Sequence, residues 1–402
     1  MNFKKKPKIY IGNTNVASQI NDFKAGFEEL GYRTMTGYTS SSDIVDDTPL
    51  DYCLKEYYNT NTISSFLFQK TRPKRFRKYF SPKTNGYDYI LKKAIKECEI
   101  FLFMWNTFKD DLSDLKLLKS LKKKIIFFFV GSDIVWRQGQ ELDFKSKGLE
   151  PPEFESNKTL LVDNLNERMK FVRIAEKYSD LIITAPALAQ LLKRPFLRGR
   201  HIIPLNRIRF NPNQKPIPDI IFSPSCRKYK GHDYVIDVIN EIKSSNSAKF
   251  NFTLVEGLDY QCALDQYANA DILIGELFYP GGGKQQREAV ASGTVVLTNF
   301  DNRYPNGLPR STPFIHVDRH NLKNELIRII EDFSLRQRVA ANGRSFIENY
   351  NSPVNVCNYI LEALKNKDNF GDLIKPTFYN EIYASFPEYR LTFDFWDQLE
   401  NY

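Results

Sequence analysis

The chain has 402 residues, 42% of them hydrophobic and 26% charged, too long for one ordinary core at roughly 100–200 residues per domain. Ordinary glycine and proline usage (19 and 20) excludes a collagenous or disordered chain. The longest apolar runs, at 100–105 and 125–130, fall far short of the roughly 20 residues that cross a bilayer, so a cytosolic protein of two large or three small domains is expected.

A net charge of +9 points to an anionic partner, which could be nucleic acid, a membrane surface or a phosphorylated small molecule. Five scattered cysteines with no C-x-x-C pair argue for reduced thiols. Of the four histidines only His316 and His320 are close in sequence, which argues against a histidine-rich metal site.

Short β-branched or aromatic runs alternate with longer amphipathic stretches, the pattern of parallel sheets covered by helices. The chain opens with a strand at 8–11, a turn at 12–15, and a helix whose apolar face carries Val16, Ile20, Phe23, Phe27 and Leu30 until Gly31 stops it. Residues 100–105 and 124–130 read as buried strands, the second preceded by the helical spacing of Leu112, Leu115, Leu118 and Leu121. A helix at 165–178 and a strand at 181–184 add a further step. Pro204, Pro212, Pro216 and Pro218 then punctuate a linker or hinge. Beyond it a second series predicts strands at 219–222, 250–256, 271–275 and 294–299, alternating with helices at 232–244, 260–269 and 285–292. The aromatic-rich tail from about 370 to 402 requires a surface to cover.

Between 66 and 83, Lys70, Arg72, Lys74, Arg75, Arg77, Lys78 and Lys83 are interleaved with phenylalanines and a tyrosine. Two readings stand side by side. One is a surface for anionic lipid headgroups or an anionic acceptor, where each basic residue adds about 1 kcal/mol near a charged membrane. The other is a solvated loop whose aromatics pack on the first domain.

Two segments at strand C-termini carry the chemistry, because loops and helix N-termini converge on that edge of an open parallel sheet. In 279–293 the run Gly281-Gly282-Gly283 lets backbone approach a ligand and exposes free amides at the start of a helix, an anion site, though by itself it also reads as a flexible turn. In 223–231, Arg227 and Lys230 stand just before a helix, where cations oppose the helix dipole, so an anionic ligand is their sharper reading and solvated surface charge the plainer one. Glu288 lies one turn after Lys284, either as its i,i+4 partner or as an acceptor for vicinal sugar hydroxyls.

With these residues in place the chain resembles the nucleotide-sugar-dependent glycosyltransferases of GT-B architecture, especially the retaining family 4 type. The resemblance is strongest over 220–365. SPSCRKYKGHDYVIDVI (223–239), YANADILIGELFYPGGGKQQREAVASGTVVLTNF (267–300) and LRQRVAANGRSFIENYNS (335–352) are similar to the family's Arg and Lys-Gly segment, its glycine turn with Glu-Ala helix, and its penultimate helix. A weaker likeness covers 112–206, in KKKIIFFFVGSDIVWR (122–137) and SDLIITAPALAQLL (179–192).

The resemblance implies two Rossmann-like α/β domains across a cleft: an acceptor domain at 1–212, a donor domain at 213–368, and a tail at 369–402 crossing back to the first. It implies transfer of a sugar from a nucleoside diphosphate sugar to a glycan or lipid-linked acceptor, with retention and without metal or other cofactor. Nucleic acid is not expected as a partner, and peripheral contact with an anionic membrane through 70–83 stays open beside the loop reading. Arg227 and Lys230 would bind the diphosphate, Glu288 the ribose, and amides around Gly282, Gly283 and Lys284 donor sugar or phosphate. Gln285, Gly12 and Asn13 would lie at the donor, and Asp133 in the catalytic group.

Three positions depart from the family pattern. Pro280 stands where the first acid of Glu-x7-Glu would fall, leaving Glu276 as the nearest substitute; Val130 replaces a histidine; and the loop 12–15 lacks a second glycine. They keep two alternatives open, a GT-B-fold sugar-nucleotide epimerase and a catalytically degenerate sugar-nucleotide-binding protein.

Overall fold

The computed structural model describes residues 6–39, 50–54, 82–131, 133–146, 164–225, 227–278, 282–299, 312–367 and 369–401. The basic residues from Lys70 to Lys78, together with Ser132 and Pro280, lie outside the described residues.

The strands are, in chain order, β1 (Lys8–Asn13), β2 (Arg33–Tyr38), β3 (Tyr52–Cys53), β4 (Ile100–Met104), β5 (Lys124–Phe128), β6 (Leu181–Thr184), β7 (Phe196–Arg198), β8 (Asp219–Phe222), β9 (Asn251–Leu254), β10 (Ile272–Ile274), β11 (Val295–Thr298), β12 (Phe314–His316) and β13 (Leu373–Ile374). They form two sheets, ordered β13-β7-β6-β5-β4-β1-β2-β3 and β12-β11-β10-β8-β9. Every pairing is parallel except the antiparallel contact of β13 with β7.

The helices are α1 (Gln19–Glu29), α2 (Pro82–Glu97), α3 (Ser113–Ser120), α4 (Arg137–Ser146), α5 (Leu165–Tyr178), α6 (His232–Ser244), α7 (Tyr260–Asn269), α8 (Lys284–Ser292), α9 (Leu322–Glu331), α10 (Phe333–Asn351), α11 (Pro353–Lys365), α12 (Tyr379–Ser385) and α13 (Arg390–Asp397). Strand residues alternate between two apolar layers on either side of each sheet. In the first sheet Ile9, Ile11, Leu102, Met104 and Ile126 pack with α1 and α11, while Tyr10, Phe101, Phe103 and Phe127 pack with α2, α3, α5 and the C-terminal helices. In the second, Ile220, Phe222, Ile274 and Leu297 face α6 and α9, and Ile221, Leu273 and Val296 face α7, α8 and α10.

The linker punctuated by Pro204 and Pro212 carries the chain out of the first sheet, and a second crossing brings it back. α10 stops where Pro353 cannot continue it: Ser352 takes an extended conformation (ψ 148°), and Pro353 opens α11. Asn351 pins the two crossings together. Its carbonyl accepts from the amide of Ile203 at 2.8 Å, and its Nδ2 donates to the carbonyl of His201 at 2.8 Å.

Although α11 lies within residues 213–368, its buried face (Val356, Cys357, Ile360, Ala363, Leu364) belongs to the core of the first sheet. The aromatic tail covers the opposite layer of the same sheet. Phe393 stands edge-on to Trp136 and Tyr379, and the buried Arg173 joins Glu176 and Asp397 at 2.5 and 2.9 Å.

α1 and α11 pack closely because Gly26 has no side chain: a Cβ there would stand 2.5 Å from the Pro353 carbonyl oxygen. Gly26→Ala should therefore lower stability by about 1–3 kcal/mol in a thermal melt, whereas Gly371→Ala, with nothing within 4 Å, should stay within about 0.5 kcal/mol of the parent.

Candidate functional site

Strand order reverses at two places. From β1 the first sheet grows toward β2 on one side and β4 on the other; from β8 the second grows toward β9 and β10. Loops leaving the two flanking strands at such a point diverge, and a crevice opens beyond the strand ends. The residues singled out by the sequence stand at these points: Gly12 and Asn13 at the end of β1, Arg227 and Lys230 after β8, and Glu276, Gly282, Gly283, Lys284, Gln285 and Glu288 after β10.

On the second wall, Arg227–Lys230 is a single helical turn, separated from α6 by Gly231. Arg227 grips Glu256 with two prongs, Nε and Nη2 lying 2.8 and 2.6 Å from its carboxylate oxygens. Lys230 is paired with Glu276. Burial pushes the Glu276 carboxyl up, Lys230 pulls it back, and Oε1 is buried with no partner.

Gly282 has a left-handed φ of 57°, which bends the chain into α8 at Gly283. Gln285 ties this turn to the loop after β8, its Nε2 donating to the Ser223 carbonyl at 2.7 Å and to Tyr267 Oη at 3.1 Å. Both side-chain amide atoms of Gln286 are buried without partners. Glu288 does not pair with Lys284 in the i,i+4 manner; its Oε1 accepts from Tyr260 Oη at 2.7 Å. Burial raises the Glu288 carboxyl, while Lys284 and the Tyr260 hydrogen bond hold it down. Lys284 reaches the opposite wall, where its Nζ meets the Ala17 carbonyl at 2.8 Å and Asp22 Oδ2 at 2.6 Å.

On the first wall the helix predicted from Val16 begins only at Gln19. Asn15 folds back, its Oδ1 accepting from the Ile20 amide at 3.0 Å, and Ala17 and Ser18 take left-handed φ values of 50° and 60°. Asn13 accepts from Tyr10 through Oδ1, leaving Nδ2 buried and unpartnered, and Gln19 Oε1 is in the same condition. Buried polar atoms are normally satisfied, and those of Asn13 and Gln19 on one wall and Glu276 and Gln286 on the other have no protein partner.

Asp133 sits differently. Its oxygens accept from the amides of Val130 and Gly131 at 3.1 and 2.7 Å, so the carboxylate ties its own turn rather than pointing free into the cleft. Burial pushes it up to about 6 against those hydrogen bonds. It lines a cavity of about 510 Å³ with Trp105, Asn106, Asp111, Arg168 and Phe171. Thr14 Oγ1 to Asn106 Oδ1, at 2.9 Å, joins that cavity to the loop after β1.

Sequence spacing did not reveal His201 or Arg287. His201 has a buried, unpartnered Nδ1 and is pushed down to about 3 by burial and then by Arg287 and Lys284. Burial and Arg198 lower Arg287 to about 10. For His201 scarcity was the one signal, four histidines in 402 residues, and Arg287 had none. Among the described residues no three His, Cys, Asp or Glu side chains converge as a metal site, and no helix is long and apolar enough to cross a membrane.

No protein-family model and no curated protein matches the chain. Solved structures do. Sucrose-phosphate synthase from Thermosynechococcus elongatus superposes with a TM-score of 0.57 at 11% identity, covering 90% of this chain and 99% of that one. HepE from Anabaena, solved with UDP and glucose, gives 0.54 at 11% identity over 90% and 100%. The catalytic domain of starch synthase IV from Arabidopsis thaliana, bound to ADP and acarbose, gives 0.54 at 11% identity over 90% and 99%.

The fold is GT-B. Its two Rossmann-like domains place the β1 and β8 crevices on opposite walls, and Lys284 bridges them.

A carboxyl raised by burial makes the folded state less stable wherever it is ionised, above its folded pKa, and this penalty disappears as pH falls below its usual value. Glu288→Gln keeps an oxygen for Tyr260 and removes the charge. Thermal melts from pH 4 to 8 should show the variant gaining on the parent as pH rises and converging with it near pH 4.

Proposed function

We propose that this protein is a retaining glycosyltransferase, moving a sugar from a nucleoside diphosphate sugar to a glycan or lipid-linked acceptor without a metal. The observation that supports this reading is the pairing of two facing crevices, one bearing Arg227, Lys230 and the glycine turn, the other the loop after β1. The neighbours solved with UDP or ADP lend it analogy.

In this reading Arg227 and Lys230 turn from Glu256 and Glu276 to the diphosphate, where charge develops as the bond from the anomeric carbon to the phosphate oxygen breaks. Each charge-assisted contact contributes about 1.5–3 kcal/mol. Glu288 receives the ribose hydroxyls once Tyr260 yields, and amides of Gly282, Gly283 and Lys284 approach the donor sugar and phosphate. Gly12 and Asn13 close the donor site from the first wall, and Gln285 holds the glycine turn in register. The acceptor oxygen forms its bond to the anomeric carbon on the face that the phosphate leaves, giving its proton to the departing phosphate oxygen, and approaches from the side of the 510 Å³ cavity, whose rim Asp133 shapes. The acceptor site belongs to residues 1–212 and the donor site to 213–368, of which α11 (Pro353–Lys365) returns to the first sheet as the tail at 369–402 does. Motion about 204–218 and Asn351 excludes water, and residues 70–83 hold the acceptor domain at an anionic membrane.

Arg227→Ala and Lys230→Ala should each lower kcat/KM for donor about ten- to a hundredfold, about 1.4–2.7 kcal/mol of transition-state stabilisation, with folding intact. Unchanged affinity for nucleoside diphosphate in both folded variants would remove the diphosphate assignment.

Product analysis with excess chelator should show transfer continuing and anomeric configuration kept. Loss of transfer restored by manganese or magnesium would overturn the cationic mechanism. Consumption of donor with no acceptor glycosylated would favour the epimerase, and nucleotide binding without turnover the degenerate binder.

A further inference from the structure

The contact between Asp22 and Lys284 has no counterpart in the roles assigned above. Lys284 opens α8, where a cation opposes the helix dipole, so its local placement is unfavourable. Asp22 lies in the first turn of α1, where a carboxylate is favoured. Across the cleft their atoms stand 2.6 Å apart, with side chains only 11% and 3% exposed, and the ammonium also takes the Ala17 carbonyl. Ala17 and Ser18 adopt left-handed backbone at this bend, a conformation that non-glycine residues hold only where the surroundings enforce it.

A buried ammonium needs a compensating charge, and removing one partner of a buried pair leaves the other uncompensated. On its own wall the nearest acid along α8, Glu288, is engaged by Tyr260. Lys284 also follows Gly283 directly, so whatever anchors its side chain anchors the glycine turn.

We propose that Asp22 is a positioning residue: by holding Lys284 it clasps the glycine turn of the second domain against the bend after β1 and keeps the two walls apposed. Asp22 acts through Lys284 and touches no substrate. The clasp bears on catalysis only through the glycosyltransferase reading, but its effect on domain apposition does not depend on that reading.

The test is a double-mutant cycle of Asp22→Asn, Lys284→Gln and the pair, with Asp22→Glu as the conservative variant. Small-angle X-ray scattering reads apposition without any substrate. Each single variant should raise the radius of gyration by about 1 Å above a compact value of about 21 Å, the pair should expand no further than either alone, and Asp22→Glu should recover at least half of the change. Circular dichroism melts verify folding, and Lys284→Gln decides the matter if Asp22→Asn does not fold. Radii equal to the parent's, or strictly additive expansion, would overturn the proposal.

UDP and ADP titrations supply the second readout. Their dissociation constants should move less than about threefold in Asp22→Asn, since the groups assigned to the diphosphate and ribose, Arg227, Lys230 and Glu288, are not held by the clasp, while the transfer kcat falls about tenfold or more. A loss of nucleotide affinity with kcat kept would count against a positioning role. Failure of the parent to bind either nucleotide would exclude uridine and adenosine donors and leave the scattering result to decide the clasp.

Discussion

The placement of every group in the cleft follows from the parallel strand. Parallel sheets send all their carboxyl ends to one edge, and because helices cover both faces, that edge is where backbone and polar side chains can meet a ligand. The reversals at β1 and β8 part the loops there, so the same hydrogen-bond ladders that bury Ile11, Leu102, Phe222 and Ile274 also locate Asn13, Arg227 and Glu276. The glycine turn, the bend at Ala17 and the helical turn at Arg227 are local solutions to leaving a strand at such a point.

Charge in this cleft is balanced in pairs: Arg227 with Glu256, Lys230 with Glu276, Lys284 with Asp22. The pairs differ in burial. Arg227 is exposed, so its ion pair is weakly held and readily exchanged for a stronger anion, whereas Lys284 and Asp22 are almost fully enclosed. Glu276 stands between these cases: burial opposes its charge and Lys230 sustains it. A ligand of two negative charges replacing Glu256 and Glu276 would therefore meet cations already oriented.

Much of the fold was legible because its signals are periodic. The strand at 100–105, the helix at 165–178 and the alternating series after Pro218 follow from apolar spacing, and Gly293 ends α8 as the pattern predicts. The bend at Val16 to Ser18 was hidden because Val16 continues the apolar face, while Asn15, by capping Ile20, delays the helix to Gln19. The placement of the candidate residues at strand ends was legible, but their partners were not. Lys284 and Glu288 have i,i+4 spacing, yet tertiary contacts with Asp22 and Tyr260 outweigh a surface pair worth a few tenths of a kcal/mol. Asp133 carries the same letter whether it faces a ligand or accepts its own loop's amides.

The return of α11, β13 and the aromatic tail to the first sheet couples folding to synthesis. Cys357 Sγ contacts the Phe23 carbonyl across 334 residues of chain, and Phe393 fills the layer against Trp136. A ribosome delivers residues 8–198 long before these covering elements exist, so the nascent first domain carries bare apolar surface on both faces of its sheet while the second domain is made. The second domain, whose sheet and helices lie within one continuous stretch from β8 to α10, is the part able to close its core first, giving a chain whose later half folds ahead of its beginning.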